Sequence, residues 1–176
     1  MRAIKLLLLL LFVSGIVLFL SYEKIVSDVL LPQYIDWAYK IDKKGQQEGT
    51  ALSADQLILA TEIGIKHPEK VRLVYIDEIP FPRDNYALKV LGEALGFIGE
   101  GIVNNAQAFG YSIYIRNGYP LDTPKLAHEL VHVLQIERSS LDSIIRQHIS
   151  DLATYGYDNA PLEVEAFKAN NAYKEE

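Results

Sequence analysis

Residues 126–135 read Leu-Ala-His-Glu-Leu-Val-His-Val-Leu-Gln, and three of them, His128, Glu129 and His132, carry the chemistry. A helix advances about 3.6 residues per turn, so histidines four apart stack on one face. Two imidazoles in that arrangement can hold one Zn²⁺. Glu129 is rotated about 100° from His128 and can reach a water on that metal without being a ligand itself. At a site with one open position, zinc lowers the pKa of bound water to about 7. Glu129 can then accept the proton as the hydroxide attacks a polarised carbonyl, which is the chemistry of peptide hydrolysis.

The same spacing also suits an ordinary amphipathic helix with two surface histidines. The neighbours argue otherwise. Leu126, Leu130, Val131, Val133 and Leu134 make the stretch apolar on most sides, which predicts burial. Buried His, Glu and His need partners. A metal and its water supply them.

Composition narrows the chemistry further. The chain has 176 residues, 49% of them apolar, and a net charge of −6. That length suits one domain plus an appendage. An acidic balance offers no basic footprint, so nucleic acid is not an expected partner. There is no cysteine, which excludes disulfides, thiolate zinc sites and cysteine nucleophiles. Any zinc must be held by histidine and carboxylate.

The elements that position these residues follow an apolar leader. Arg2 and Lys5 precede an uncharged run over 6–20, LLLLLLFVSGIVLFL. This is a membrane-targeting segment. Counting Ala3, Ile4, Ser21 and Tyr22, it approaches the roughly 20 residues needed to span a bilayer. A cut after Val13-Ser14-Gly15 would leave Ile16 to Leu20 exposed, and no small-x-small site follows the run. Residues 1–22 are therefore expected to be an uncleaved signal anchor, a transmembrane helix. Basic residues before the run put the N-terminus in the cytoplasm and the remainder outside it. The alternative is a secreted or periplasmic product after signal cleavage.

Residues 23–51 read as a juxtamembrane segment of short helical pieces followed by a charged, glutamine- and glycine-containing linker over 40–50. Trp37 reads as a packing residue. A domain is expected over 52–176. It opens with a helix capped by Ser53, then a strand over 70–76. A second helix follows Asp84 or Asn85. A strand over 107–116 leads through an Asn117-Gly118 turn into the histidine helix, capped by Asp122 or Thr123. There Tyr111, Ile113 and Ile115 point one way and Ser112, Tyr114 and Arg116 the other. Another helix runs from Ser139 or Ser140 to about 154, and a last one from Pro161 to about 173.

Further candidates lie on these late elements. His148 falls on or beside an apolar helix face, as a core residue or as a group polarising a substrate carbonyl. Tyr155 and Tyr157 sit in the following turn. Glu163 and Glu165 are two apart, roughly 200° around a helix, so only one can face a metal. Both also suit a helix N-terminus without any metal.

With two helix histidines and a downstream acidic helix, the chain resembles the gluzincins, zinc metallopeptidases with a glutamate as third ligand. Glu163-Val164-Glu165-Ala166 is similar to their Glu-x-x-Ala pattern, which implies Glu163 as the ligand. Glu165 is the fallback, because other members place the ligand directly before an alanine. The aspartate often found four residues after the ligand is Phe167 here. Residues 111–135 also resemble bacterial metallopeptidase domains in which a G-x-x-I-Y-I strand precedes H-E-L-x-H-V-x-Q. A metzincin would need glycine and histidine where this chain has Gln135 and Arg138.

The resemblance implies an α+β, compact zincin-like domain, with a small sheet whose edge strand packs on the histidine helix. It implies a membrane-anchored zinc peptidase acting on a peptide or protein substrate. His128, His132 and Glu163 would bind the metal, and Glu129 would be the base. Tyr155, Tyr157 or His148 would steady the oxyanion. The competing expectation is a catalytically silent zincin-like binding or structural module tethered to the membrane.

Overall fold

The computed structural model describes Tyr22 and residues 24–174. The described residues fall into two units that divide between Tyr34 and Ile35. The apolar run expected to be a signal anchor lies outside the described residues. Among the described residues, no helix is long and apolar enough to cross a membrane.

A π-helical turn, Val26–Leu30, leads into α1 (Leu31–Glu48). Short pieces and a linker were expected here, but the linker is the second half of one helix. Two of its polar residues, Asp42 and Gln46, bind the sheet, while Lys43, Lys44, Gln47 and Glu48 remain exposed. Asp42 accepts from the Tyr111 backbone N–H at 3.2 Å and from Ser112 Oγ at 2.9 Å. Gln46 Nε2 donates to Ser112 Oγ at 3.1 Å, and the Tyr114 hydroxyl donates to Ile41 O at 2.9 Å. Gly45 permits the approach, because a Cβ there would collide with the Ser112 side chain. Loop-like composition thus serves as the docking face of a helix.

β1 (Thr50–Ala51) is followed by α2 (Ala54–Ile63). The expected Ser53 cap is present, and Gln56 reciprocates it in a capping box. β2 (Arg72–Ile76) comes next, then α3 (Tyr86–Ala94), capped by Asn85. The strand expected over 107–116 is instead a hairpin, β3 (Ala106–Phe109) and β4 (Ser112–Arg116). Gly110 makes its turn with φ +60°, and a side chain there would strike the Asp42 carboxylate. The remaining helices are α4 (Thr123–Arg138), α5 (Leu141–Tyr155) and α6 (Pro161–Ala172).

The fold is α+β around a four-stranded sheet of order β1-β2-β4-β3. β2 and β4 run parallel, with Leu73 opposite Ile113, while β3 pairs antiparallel with β4. β4 is thus interior and β3 is an edge. The alternation along β4 separates two cores. Ile113 and Ile115 cluster with Leu59, Leu73, Leu126, Leu130 and Val133. Tyr114 clusters with Ala38, Val74 and Phe109. Burying each Ile or Leu stabilises by about 1.5–3 kcal/mol, so the first cluster holds α4 firmly on the sheet.

Candidate metal centre

The turn after β4 delivers the chain to α4. Asp122 is the cap, accepting from the Lys125 backbone N–H at 3.0 Å, and Pro124 occupies the first turn. Leu126, Ala127, Leu130, Val133 and Leu134 bury the helix against the sheet. His128 and Glu129 are buried as well, and His132 is partly so. α6 makes the most extensive helix contact of the fold, lying along α4. Its first turn inserts Leu162 and Ala166 into the interior, and Glu163 between them is only 2% exposed.

That packing brings three candidate ligands, two imidazoles and a carboxylate, to one point. His128 Nε2 and His132 Nε2 lie 3.2 Å apart. Glu163 Oε2 is 3.4 Å from the first and Glu163 Oε1 is 3.6 Å from the second. Tetrahedral zinc, with bonds of about 2.0–2.2 Å, sets its ligand atoms about 3.3–3.6 Å apart. The residues present fit such an ion. His128, His132 and Glu163 form a group that could hold a metal ion.

Electrostatics point the same way. Burial disfavours ionised Glu163, but the surrounding His128, His132 and His148 outweigh it and hold the carboxyl far below its usual range. Burial would likewise lower His132, yet Glu163 and Glu129 raise it to about 9. The pocket therefore attracts positive charge. Glu129 is pushed up, by burial first, with partial relief from His132 and His128. Among the described residues Glu129 Oε2 is buried without a hydrogen bond, while His148 Nε2 and Glu163 Oε2 have only the charge contacts within this cluster. Such atoms are costly unless an ion or water meets them.

The other expected residues divide. His148 of α5 reaches the site, with Nε2 2.9 Å from Glu163 Oε1 and its ring 6.4 Å from that of His132. The Phe97 ring lies 6.5 Å from that of His148, centroid to centroid. The Tyr157 hydroxyl is raised by burial and then by the nearby Glu163 and Glu129 carboxylates. Tyr155 is 53% exposed at the end of α5, and among the described residues its side chain has no hydrogen bond to these groups. Glu165 does not face the histidines. It accepts from Gln135 Nε2 at 2.9 Å and pairs with Arg138 at 2.6 Å. Phe167 packs 5.1 Å from the His128 ring, a wall where a hydrogen-bonding side chain was absent from the sequence.

Gln135 was missed as a site residue. Its Oε1 lies 2.9 Å from His132 Nδ1. The available signal was a lone amide among apolar neighbours, one turn after a candidate ligand. Comparison with protein-family models, with curated proteins and with solved structures finds no match to this chain.

Proposed function

We propose that this protein is a membrane-anchored, zinc-dependent metallopeptidase of the gluzincin kind, with a zincin-like catalytic domain facing away from the cytoplasm. The observation that carries the reading is the triangle of His128, His132 and Glu163, with the unpartnered Glu129 carboxylate oxygen beside it. The anchor rests on the sequence of residues 6–20 alone.

Zinc held by His128, His132 and Glu163 would supply a Lewis acid that acidifies water and polarises a carbonyl. Glu129 accepts the proton of the attacking water, and its raised pKa suits a base that must later return that proton to the leaving amine. Burial on α4 keeps its carboxylate away from bulk solvent. His148 and Tyr157, both close to Glu163, would be the candidates to donate an N–H or O–H to the oxyanion, with Tyr155 a weaker third because of its exposure. β3 is an edge strand, so its outer backbone groups can pair with an extended peptide or protein substrate by strand addition.

The test has two parts. Zinc content of the purified protein is expected at one per chain, and stoichiometric absence would sink the metal reading. A peptide-library digest should show cleavage by the unmodified protein and a loss of 100-fold or more, on the order expected for a general base, in Glu129→Gln. Zinc binding with no cleavage by either form would favour the silent binding module.

A further inference from the structure

Gln135 lies one turn after His132 on α4, and it is 3% exposed. Its Nε2 is 3.0 Å from Leu162 O and 2.9 Å from Glu165 Oε2. A carbonyl and a carboxylate only accept hydrogen bonds. The amide's NH₂ end must therefore face them, and its two protons are both used. Oε1 is left facing His132 Nδ1 at 2.9 Å. An amide oxygen also only accepts, so His132 Nδ1 carries a proton. The imidazole then presents Nε2 toward Glu163 and His128. At the far end, Arg138 Nη1 holds Glu165 Oε1 at 2.6 Å. Leu162 immediately precedes Glu163, so one side chain grips both the histidine of α4 and the backbone beside the carboxylate of α6.

We propose that Gln135 is a positioning residue of the metal centre: it fixes His132 with its proton on Nδ1 and sets the spacing between His132 and Glu163, while Glu165, clamped by Arg138, holds Gln135 in that orientation. This rests on the reading of His128, His132 and Glu163 as metal ligands. It assigns Glu165 a role distinct from ligation and gives Arg138 one as well. A plain structural brace between α4 and α6 would affect stability. It would leave the site of protonation and the affinity for zinc unmoved.

The experiment compares the full-length chain with Gln135→Leu and Glu165→Ala. Zinc affinity is measured by competition with a chromophoric chelator. The His132 Nδ1–H resonance is read by NMR on histidine-labelled protein, both zinc-loaded and metal-free. The unmodified chain should show a downfield, slowly exchanging Nδ1–H. Gln135→Leu should lose that signal and bind zinc roughly 10–100-fold more weakly, the range for partners of metal-bound histidines. Glu165→Ala should weaken binding by less than about 10-fold while shifting the resonance. Unchanged affinity and resonance in both variants would overturn the inference, as would a proton on Nε2 alone in the metal-free chain. If Gln135→Leu does not fold, the half-exposed Glu165→Ala and the unmodified resonance decide. Failure of the unmodified chain to bind zinc sinks the metal reading by itself, because the Nδ1 proton is still read without metal.

Discussion

Glu163 and Glu165 stand two positions apart on α6, and that spacing separates their duties. One is swallowed between two histidines and the other reaches an amide and a guanidinium at the edge. Glu163→Gln removes the charge that balances the histidines, so zinc affinity should fall by more than the roughly 100-fold upper range of outer-shell changes. Glu165→Gln should stay below about 10-fold. Equal losses in the two variants, measured by the same chelator competition, would contradict the assignment. At this scale the sequence was legible where helix periodicity fixes an angle. It placed His128, Glu129 and His132 on adjacent faces and required the two acids to diverge. It did not reveal Gln135, whose partners Leu162 and Glu165 lie on another helix. No local period encodes such a bond.

Among the elements, α4 is secured at its C-terminal end by Glu137. This carboxylate accepts from the backbone N–H groups of Lys66 at 2.8 Å and His67 at 3.1 Å, and from the Tyr111 hydroxyl at 2.7 Å. It thereby links the segment after α2, the hairpin turn and the histidine helix. Burial would raise Glu137, but these hydrogen bonds outweigh it and hold the carboxyl below its usual value. A depressed folded pKa stabilises fully above the unfolded value, about 4.3, and the stabilisation is lost as pH falls through the folded one. Solvent screens this largely accessible carboxylate, so Glu137→Ala should cost about 0.5–1.5 kcal/mol at pH 7. Its urea midpoint should converge on that of the unmodified chain as the pH drops below about 4.3. A gap that stays constant from pH 7 into acid would refute the linkage. Caps were legible at this scale because Ser53, Asn85 and Asp122 act on backbone three residues away. The 40–50 stretch was not. Its Gly45 and Gln46 look like linker residues until Ser112, far along the chain, is placed against them.

At the scale of the whole molecule, the candidate ligands His128, His132 and Glu163 come from two helices that only the folded state brings together. An ion bound there should stabilise the native chain by mass action. Zinc at 100 times its Kd should add about 2.7 kcal/mol, which for a chain of this size is a rise of about 5–10 °C in Tm. Identical melting curves with added zinc and with a chelator would show that the chain binds none. The α+β class was an implication of the gluzincin resemblance, and the sequence itself yielded only individual helices and strands. Sheet order was not readable, because β2 pairs with β4 across α3 and β3. Adjacency of strands distant in sequence is decided by packing, and a linear pattern does not carry it.

The order of the candidate ligands along the chain has a consequence in time. His132 precedes Glu163 by 31 positions, with α5 lying between. A ribosome adding about 5–20 residues per second builds the histidine half about 2–6 s before its carboxylate exists. Through that interval a nascent chain already carries the sheet and both histidines, but has no third ligand. Under the proposed function the site would stay incomplete until α6 has been made and has docked on α4.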